Sequence, residues 1–129
     1  MRLTTLLCTV ALATIANAIC YITGEKWGVD KQDALDQARA SCHTPIDGNG
    51  FLGPWTSDNP ERQLVAFLAS NDRLVRLKLS HRHNGGIDEA GNLDPEECYD
   101  RFQKEINGCI FGGKSKYTHW TYDADVNQI

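Results

Sequence analysis

The clearest hydrophobic pattern is an alternation in the middle of the chain that predicts a β-hairpin. Within residues 73–83, apolar residues at every second position share one face, and basic residues occupy the other. The preceding segment 62–70 also has a strand-like composition, and Asn71-Asp72 between the two favours a tight turn. The inward face of the second strand is then formed by Val75, Leu77 and Leu79.

Two other segments show the spacing of three and four residues that is typical of amphipathic helices. In residues 29–42, Asp30 is the predicted N-cap. Residues 96–107 follow Asp94-Pro95, which is an N-cap and a proline at the first helical position. The predicted buried faces are Ala34, Leu35, Ala38 and Cys42 in the first helix, and Cys98, Phe102, Ile106 and Cys109 in the second.

Short β-rich segments at 19–23 and 116–123 predict strands near both ends, and loops rich in Gly, Asn and Asp occupy 43–60 and 84–93. The order is therefore strand, helix, two paired strands, helix, and then one or two strands. A central hairpin favours an antiparallel sheet, and helices must cover one of its faces. We expect a single α+β domain in which two main α-helices pack on an antiparallel β-sheet.

The first eighteen residues have the layout of a secretory signal peptide. A basic start at Arg2 precedes an apolar stretch that is too short to span a membrane, and Ala16-Asn17-Ala18 is a small-residue cleavage site. Cleavage after Ala18 shortens the chain from 129 to 111 residues and changes its net charge from −4 to −5, because Arg2 is the only charge removed. We therefore expect a secreted, extracellular domain over residues 19–129. It has no membrane span, and its acidity disfavours a nucleic-acid partner.

Cleavage also removes Cys8, and the four remaining cysteines are expected to form two disulfides in an oxidising compartment. The second helix would hold Cys98 and Cys109 roughly 16 Å apart, whereas a disulfide needs Cα atoms within about 7 Å, so that pairing is excluded. Each of these two must pair with Cys20 or Cys42, and both arrangements remain open. Zinc is disfavoured because C-x-x-C spacing is absent, and no metal or other cofactor is expected.

Two motif-like stretches lack the structural context that their chemistry needs. Residues 108–115 match the phosphate-binding pattern G-x-x-x-x-G-K-S, but here a predicted helix precedes the loop and a strand follows it, the reverse of a phosphate-binding loop. Residues 123–127 resemble the start of a calcium-binding loop, but Gln128 replaces the required glycine and no closing glutamate follows. A looser calcium site that includes Asp123 and Asp125 remains an alternative.

Aromatic side chains accompany acids and amides near the C-terminus and in one loop, which is a combination typical of carbohydrate sites. Aromatic rings stack on the apolar faces of sugars, while carboxylates and amides bind the hydroxyl groups. The candidate ligand-binding residues are Trp55, Tyr117, His119, Trp120, Tyr122, Asp123 and Asp125. The alternative is that Trp120 and Tyr122 alternate inward as core residues while Tyr117 lies at the surface.

His81 and His83 lie two residues apart, so on a strand their side chains point to the same side. Together with Arg82 they could supply the acid, the base and the phosphate clamp of a secreted ribonuclease-like or killer-toxin-like enzyme. The alternative is a solvated strand end, and spacing identifies no third partner. We therefore assign no catalytic residue.

Cysteine and aromatic spacings along the chain together resemble a known family. In the first half they are Cys20-Tyr21, Gly24, Trp27 and Cys42. In the second half they are Cys98, Phe102, Ile106, Cys109, Gly112-Gly113, Trp120, Tyr122, Ala124 and Asp125. The chain thereby resembles small secreted fungal proteins typified by a mushroom lectin with a glycan-binding α/β domain, a group related to effector-like secreted proteins. It departs from the family's tail, where Val126 replaces a proline and a further cysteine is missing.

The resemblance implies a secreted, non-enzymatic carbohydrate-binding protein whose partner is a glycan or a cell-surface glycoprotein. The ribonuclease-like enzyme is the alternative. A third hypothesis is an effector that binds a partner protein through the loops 42–60 and 84–93. A homodimer formed through a sheet edge is a further hypothesis about partners.

Overall fold

The computed structural model describes residues 17–53, 55, 60–70, 72–81, 93–117 and 119–128. Over these residues the elements in chain order are β1 (Asn17–Cys20), α1 (Lys31–Cys42), β2 (Glu61–Phe67), β3 (Arg73–His81), α2 (Pro95–Gly108), β4 (Gly112–Lys116) and β5 (Trp120–Gln128). Single turns of 3-10 helix occupy Gly28–Asp30 and Ile46–Gly48. The predicted α+β class, with two helices packed on an antiparallel sheet, is confirmed.

The sheet has five strands in the order β1-β4-β5-β3-β2, and every neighbouring pair is antiparallel. β5 lies at the centre, between β4 and β3, while β1 and β2 form the two edges. Strands paired in register place residues of neighbouring strands side by side, so side chains line up in rows across the sheet. The helices pack on one face of this sheet, and no helix of the described residues covers the other.

The predicted central hairpin is confirmed, since β2 and β3 pair along the full length of β2. Of the predicted turn between them, Asn71 lies outside the described residues. Residues 82 and 83, predicted to continue the second strand, also lie outside them. The predicted inward residues of β3 are at most 1% exposed, namely Val75, Leu77 and Leu79.

The predicted C-terminal strand over 116–123 is wrong in its boundaries, because the chain reverses direction within it. β4 ends at Lys116, the Tyr117 N–H donates a hydrogen bond to the Trp120 carbonyl (2.7 Å), and β5 then runs to Gln128. β5 continues past residue 123 because its alternate residues Tyr122, Ala124 and Val126 are all buried apolar positions. The acids between them point to the other face and do not interrupt the strand.

The predicted N-terminal strand over 19–23 is also displaced, since β1 spans Asn17–Cys20. Tyr21 follows it and extends the pairing by one hydrogen bond, from its N–H to the Gly112 carbonyl (2.9 Å). Cleavage after Ala18, as predicted, would leave Ile19 and Cys20 at this edge of the sheet. Residues 1–16 of the predicted signal peptide lie outside the described residues.

The capping role predicted for Asp94 is confirmed, whereas Asp30 takes the predicted N-cap position of α1 without a side-chain hydrogen bond to that helix. The Asp94 carboxylate accepts a hydrogen bond from the Glu97 N–H (3.4 Å), and Pro95 opens α2. Asp30 immediately precedes α1, but its side chain caps no N–H of that helix. It turns inward, is only 1% exposed, and binds residues of the β2–β3 connection instead.

Two disulfides, Cys20–Cys109 and Cys42–Cys98, connect the two ends of α2 to the N-terminal third of the chain. The exclusion of a Cys98–Cys109 pairing is confirmed, and the fold decides between the two arrangements that remained open. The two Cα atoms lie 5.2 Å apart in Cys20–Cys109 and 5.7 Å apart in Cys42–Cys98. α2 is thus fixed to β1 at one end and to α1 at the other.

The residues 108–115 that match a phosphate-binding pattern run from the last residue of α2 into β4, with Cys109 in a disulfide. They form no loop that precedes a helix, as expected from the order of elements. Within the described part of the chain, neither helix combines the length and apolarity that crossing a membrane requires.

Candidate functional site

Four of the predicted sugar-stacking residues are core residues. Trp55 and Tyr122 are fully buried, while Trp120 and Tyr117 are only 9% and 5% exposed. The Trp55 and Trp120 rings meet edge to face with centroids 5.2 Å apart, and Tyr117 meets Tyr122 in the same way at 5.7 Å. These rings offer no open face to a sugar, which corrects the prediction for all four.

The burial of these rings has three causes. Trp120 and Tyr122 occupy the alternate positions of β5 that face the helices, as the core alternative stated. Tyr117 does not lie at the surface, because the guanidinium of Arg101 on α2 covers its ring at 3.8 Å from the centroid. Trp55 folds back from its loop and donates its indole N–H to the Phe51 carbonyl (2.9 Å).

The three remaining predicted site residues, His119, Asp123 and Asp125, are partly exposed. Asp123 and Asp125 alternate with the buried residues of β5, so they project from the sheet face that the helices leave open. His119 lies in the connection between β4 and β5 and interacts with other residues of the protein. The structure therefore brings the two acids together but separates them from the aromatic rings by the thickness of the sheet.

Of the predicted histidine pair, the structure describes only His81, which is buried. His81 is 4% exposed, and its ring lies 4.3 Å from that of Trp120. It faces the core with Leu79, so the alternative of a solvated strand end is also wrong for this residue. Arg82 and His83 lie outside the described residues, and the ribonuclease-like hypothesis stays a prediction.

No metal centre is formed by the described residues, among which three or more His, Cys, Asp or Glu side chains nowhere converge as ligands. The alternative of a looser calcium site at Asp123 and Asp125 gains no support from this part of the chain. Asp125 instead accepts a hydrogen bond from the Asn127 amide (3.3 Å). Burial raises the pKa of Asp125 above its ordinary value, and Asn127 opposes the shift.

The sheet face opposite the helices is rich in groups that bind polar ligands, and we call it the polar face. Its polar members, which define it, are Tyr21, Glu61, Gln63, Arg76, Lys78, Ser80, Lys114, Lys116, Thr121, Asp123, Asp125 and Asn127. The exposed apolar side chains of Ile19, Val65 and Phe67 lie on the same face, toward its two edges. Because a rigid antiparallel sheet carries the polar members, their spacing is set by strand register rather than by loop conformation.

Asp123 lies at the centre of the polar face. Strand register places it directly opposite Lys78 on β3 and opposite Lys114 on β4. The adjacent row contains Ser80, Thr121 and Lys116. Acceptors, hydroxyls and ammonium groups are therefore found on three neighbouring strands, each about 4.7–4.9 Å from the next.

Tyr21 supplies the polar face with a partly exposed aromatic side chain. Its hydroxyl donates a hydrogen bond to Asp123 Oδ1 at 2.6 Å. Burial, together with this hydrogen bond, raises the pKa of Tyr21 above its ordinary value, so the phenol remains a donor at neutral pH. The contact fixes both the carboxylate and the ring.

Gly112 leaves a gap in the polar face between Tyr21 and Asp125. It has a φ of +85°, and a Cβ built on it would lie 2.2 Å from the Ala124 carbonyl oxygen. Only glycine fits such a position without moving the backbone. Because Gly112 has no side chain, β4 places no side chain between Tyr21 and β5 at this position.

Two shallow clefts adjoin the hydrogen bond between Tyr21 and Asp123. One, of about 240 Å³, is lined by Glu61, Lys78, Ser80, Lys114, Lys116, Thr121 and Asp123. The other, of about 420 Å³, is lined by Tyr21, Ile22, Thr23, Gly24, Glu25, Asp125, Val126, Asn127 and Gln128. The polar face thus has a concave surface on each side of this hydrogen bond.

Sequence reasoning missed several members of this site. Tyr21 was noted only as one of the residues that carry the resemblance, and Lys114 only within the rejected phosphate-binding pattern 108–115. Lys116 was noted only as the first residue of the predicted last strand. The alternation in β3 did place Lys78 on the outward face, and the same alternation applied to β4 and β5 with the correct boundaries would have placed both lysines on one face of the sheet with Asp123. Which residues become neighbours on that face depends on strand order and register.

Glu105 on α2 is a second unusual acid, and it lies in the core rather than on the polar face. It is 3% exposed, beneath the sheet near Ser115. Burial raises the pKa of Glu105 to about 10, although Ser115 opposes the shift. It is therefore protonated at neutral pH. Its spacing of three from Phe102 and four from Cys109 puts it on the predicted buried face of α2, a signal that sequence reasoning did not use.

No protein-family model matches this chain, and no curated protein matches it either. The resemblance to lectin-like fungal proteins therefore stays a prediction.

Proposed function

We propose that this protein is a secreted, non-enzymatic carbohydrate-binding protein and that the polar face is its binding site. The observation that carries the proposal is the row formed by Lys78, Asp123 and Lys114, with Tyr21 bound to its central carboxylate. A saccharide presents adjacent hydroxyl groups that each donate and accept hydrogen bonds. A site that binds it therefore needs acceptors and donors in close alternation.

The polar face meets this requirement. Asp123 is an acceptor, the lysine ammonium groups are donors, and Ser80 and Thr121 can act as both. The ring of Tyr21 takes the place that the sequence had assigned to Trp120 and Tyr122, because it is the partly exposed aromatic residue next to the acid. Its exposed edge can contact the apolar side of a sugar ring.

Two further features support a location outside the cell. The Cys20–Cys109 and Cys42–Cys98 disulfides persist in oxidising compartments, as found outside the cell. The first eighteen residues have the layout of a signal peptide. The proposal is thus a secreted protein that recognises a glycan or a cell-surface glycoprotein.

A glycan array followed by calorimetry with the best oligosaccharide tests the proposal. We expect saturable binding by the mature protein, and binding weaker by about tenfold in the Asp123→Asn variant, which loses a charged acceptor but keeps the shape of the side chain. Asp36→Asn, an exposed acid on α1, is the matched control and should bind like the wild type. Absence of saturable binding to any glycan, or equal binding by the two variants, would contradict the assignment.

A further inference from the structure

The charges of the polar face specify which carbohydrates it should prefer. Three lysines, Lys78, Lys114 and Lys116, line the cleft of about 240 Å³ together with only two acids, Glu61 and Asp123. The chain as a whole is acidic, with a net charge of −4. This cleft therefore concentrates positive charge on a protein whose overall charge is negative, and that asymmetry selects among ligands.

Of these three lysines, only Lys78 makes an ion pair with an acid of the cleft. Register places Asp123 opposite both Lys78 and Lys114, yet its carboxylate lies within 4.0 Å of neither ammonium group. Asp123 is held instead by the Tyr21 hydroxyl. Lys78 makes an ion pair with Glu61 at 3.7 Å, in which both side chains are substantially exposed.

Lys114 and Lys116 are the best-placed cations for a ligand. Neither forms an ion pair with any residue in the described part of the chain. They lie two residues apart on β4, so their side chains leave the same face at a spacing of about 6.6 Å. Like charges held this close on a strand destabilise the free protein slightly, and an anion that binds between them removes that repulsion.

We infer that the polar face recognises an acidic oligosaccharide, with a carboxylate or sulfate group of the ligand bound between Lys114 and Lys116. The uncharged hydroxyls of the same ligand bind Asp123 and its neighbours Ser80 and Thr121. This inference rests on the proposed carbohydrate-binding function and adds the class of ligand. Exposed ion pairs of this kind are weakened by salt, so the affinity should fall as ionic strength rises.

Calorimetry with matched pairs of oligosaccharides tests the inference. One pair compares an oligogalacturonide with the neutral oligogalactoside of the same length, and the other compares a sulfated oligosaccharide with its desulfated form. We expect tighter binding of the acidic member in at least one pair, and the pair that responds distinguishes carboxylate from sulfate. The double variant Lys114→Gln/Lys116→Gln should lose about tenfold in affinity for that acidic ligand.

The matched control is Lys31→Gln/Lys104→Gln, which removes the same number of charges from the helices on the other side of the sheet. This control variant should bind like the wild type, and that result would show that the loss of affinity depends on the position of the two lysines and not on net charge. Equal binding of acidic and neutral members would overturn this inference while leaving the carbohydrate-binding proposal intact. An acidic preference unchanged in Lys114→Gln/Lys116→Gln would also overturn it. Failure to bind any oligosaccharide would refute the proposed function itself.

Discussion

Replacing Glu105 by Gln should stabilise the protein relative to the wild type, and this stabilisation should be larger at pH 7 than at pH 4.5. The carboxyl is 3% exposed, and burial raises its pKa from 4.5 to about 10. In the unfolded chain at pH 7 this group is ionised, so folding must supply a proton to it. Because the pKa of Glu105 is raised in the folded protein, the contribution of this residue to stability is fully present below pH 4.5 and is lost progressively as the pH rises toward 10.

The size of this stability difference follows from the pH interval over which the Glu105 carboxyl is ionised in the unfolded chain but protonated in the folded protein. Between pH 4.5 and pH 7 the cost of protonation is about 1.4 kcal/mol per pH unit, or about 3 kcal/mol in total. Gln has the same shape and needs no proton, so the Glu105→Gln variant escapes this cost. Its amide exchanges one hydrogen-bonding group for another, and that contribution is the same at both pH values.

Urea unfolding at pH 4.5, 5.5, 6.5 and 7 with the disulfides intact measures the effect. The free energy of unfolding of Glu105→Gln minus that of the wild type should rise along this series by about 3 kcal/mol. Asp36→Asn, at an exposed position on α1, should show no such trend. If the two stability profiles of Glu105→Gln and the wild type stay parallel within about 0.5 kcal/mol, Glu105 is ionised in the folded protein and the reasoning is refuted.

Two other predictions concern charged groups outside the polar face. Asp30→Ala should cost about 2 kcal/mol in urea unfolding at pH 7, because the carboxylate accepts hydrogen bonds from the Ser70 N–H and hydroxyl, at 2.9 and 2.5 Å. Those bonds lower the pKa of Asp30, so the difference from the wild type should shrink as the pH falls below 4; a constant difference would contradict this. The His43 pKa, measured by NMR titration, should lie above its ordinary value, because the ring bonds the Arg39 carbonyl and the Glu96 carboxylate. Its contribution to stability is therefore present at low pH and is lost as the pH rises through this pKa. Glu96→Gln should lower the His43 pKa, and an unchanged titration would show that the contact does not form in solution.

Local periodicity was sufficient for much of the fold. The alternation in β3 and the capped helical pattern of α2 each extend over nine or more residues, and both elements were predicted within a few residues of their bounds. The length of α2 alone excluded a Cys98–Cys109 disulfide. These features depend on residues that are neighbours in sequence, which is why pattern and covalent geometry determine them.

The candidate site was predicted only in part, because it depends on which face of the sheet each residue occupies. Asp123 and Asp125 were predicted from the sequence to bind a ligand, and the structure leaves both partly exposed. Trp120 and Tyr122 were assigned to the same site, but adjacent positions on a strand point to opposite faces. An error in the bounds of the last strand therefore joined residues that lie on different sides of the sheet.

Other features were decided by contacts between distant parts of the chain. Asp30 has the sequence position of an N-cap, yet its carboxylate accepts hydrogen bonds from Ser70, forty residues away, and none from the helix N-terminus. Trp55 has the surroundings of an exposed loop residue, yet the folded loop places its ring against Trp120. No local pattern contains the information that these partners are close.

The sequence by itself determined the class of fold, the central hairpin, the second helix and the set of allowed disulfide pairings, because each follows from periodicity or chain length. The tertiary structure decided which of the two disulfide arrangements forms and which aromatic rings are buried. It also brought Tyr21 and Lys114 to Asp123, across a sequence separation of 102 residues in the case of Tyr21. Strand order has this effect because β1 and β4 pair beside β5, an arrangement that side-chain alternation within a single strand cannot specify.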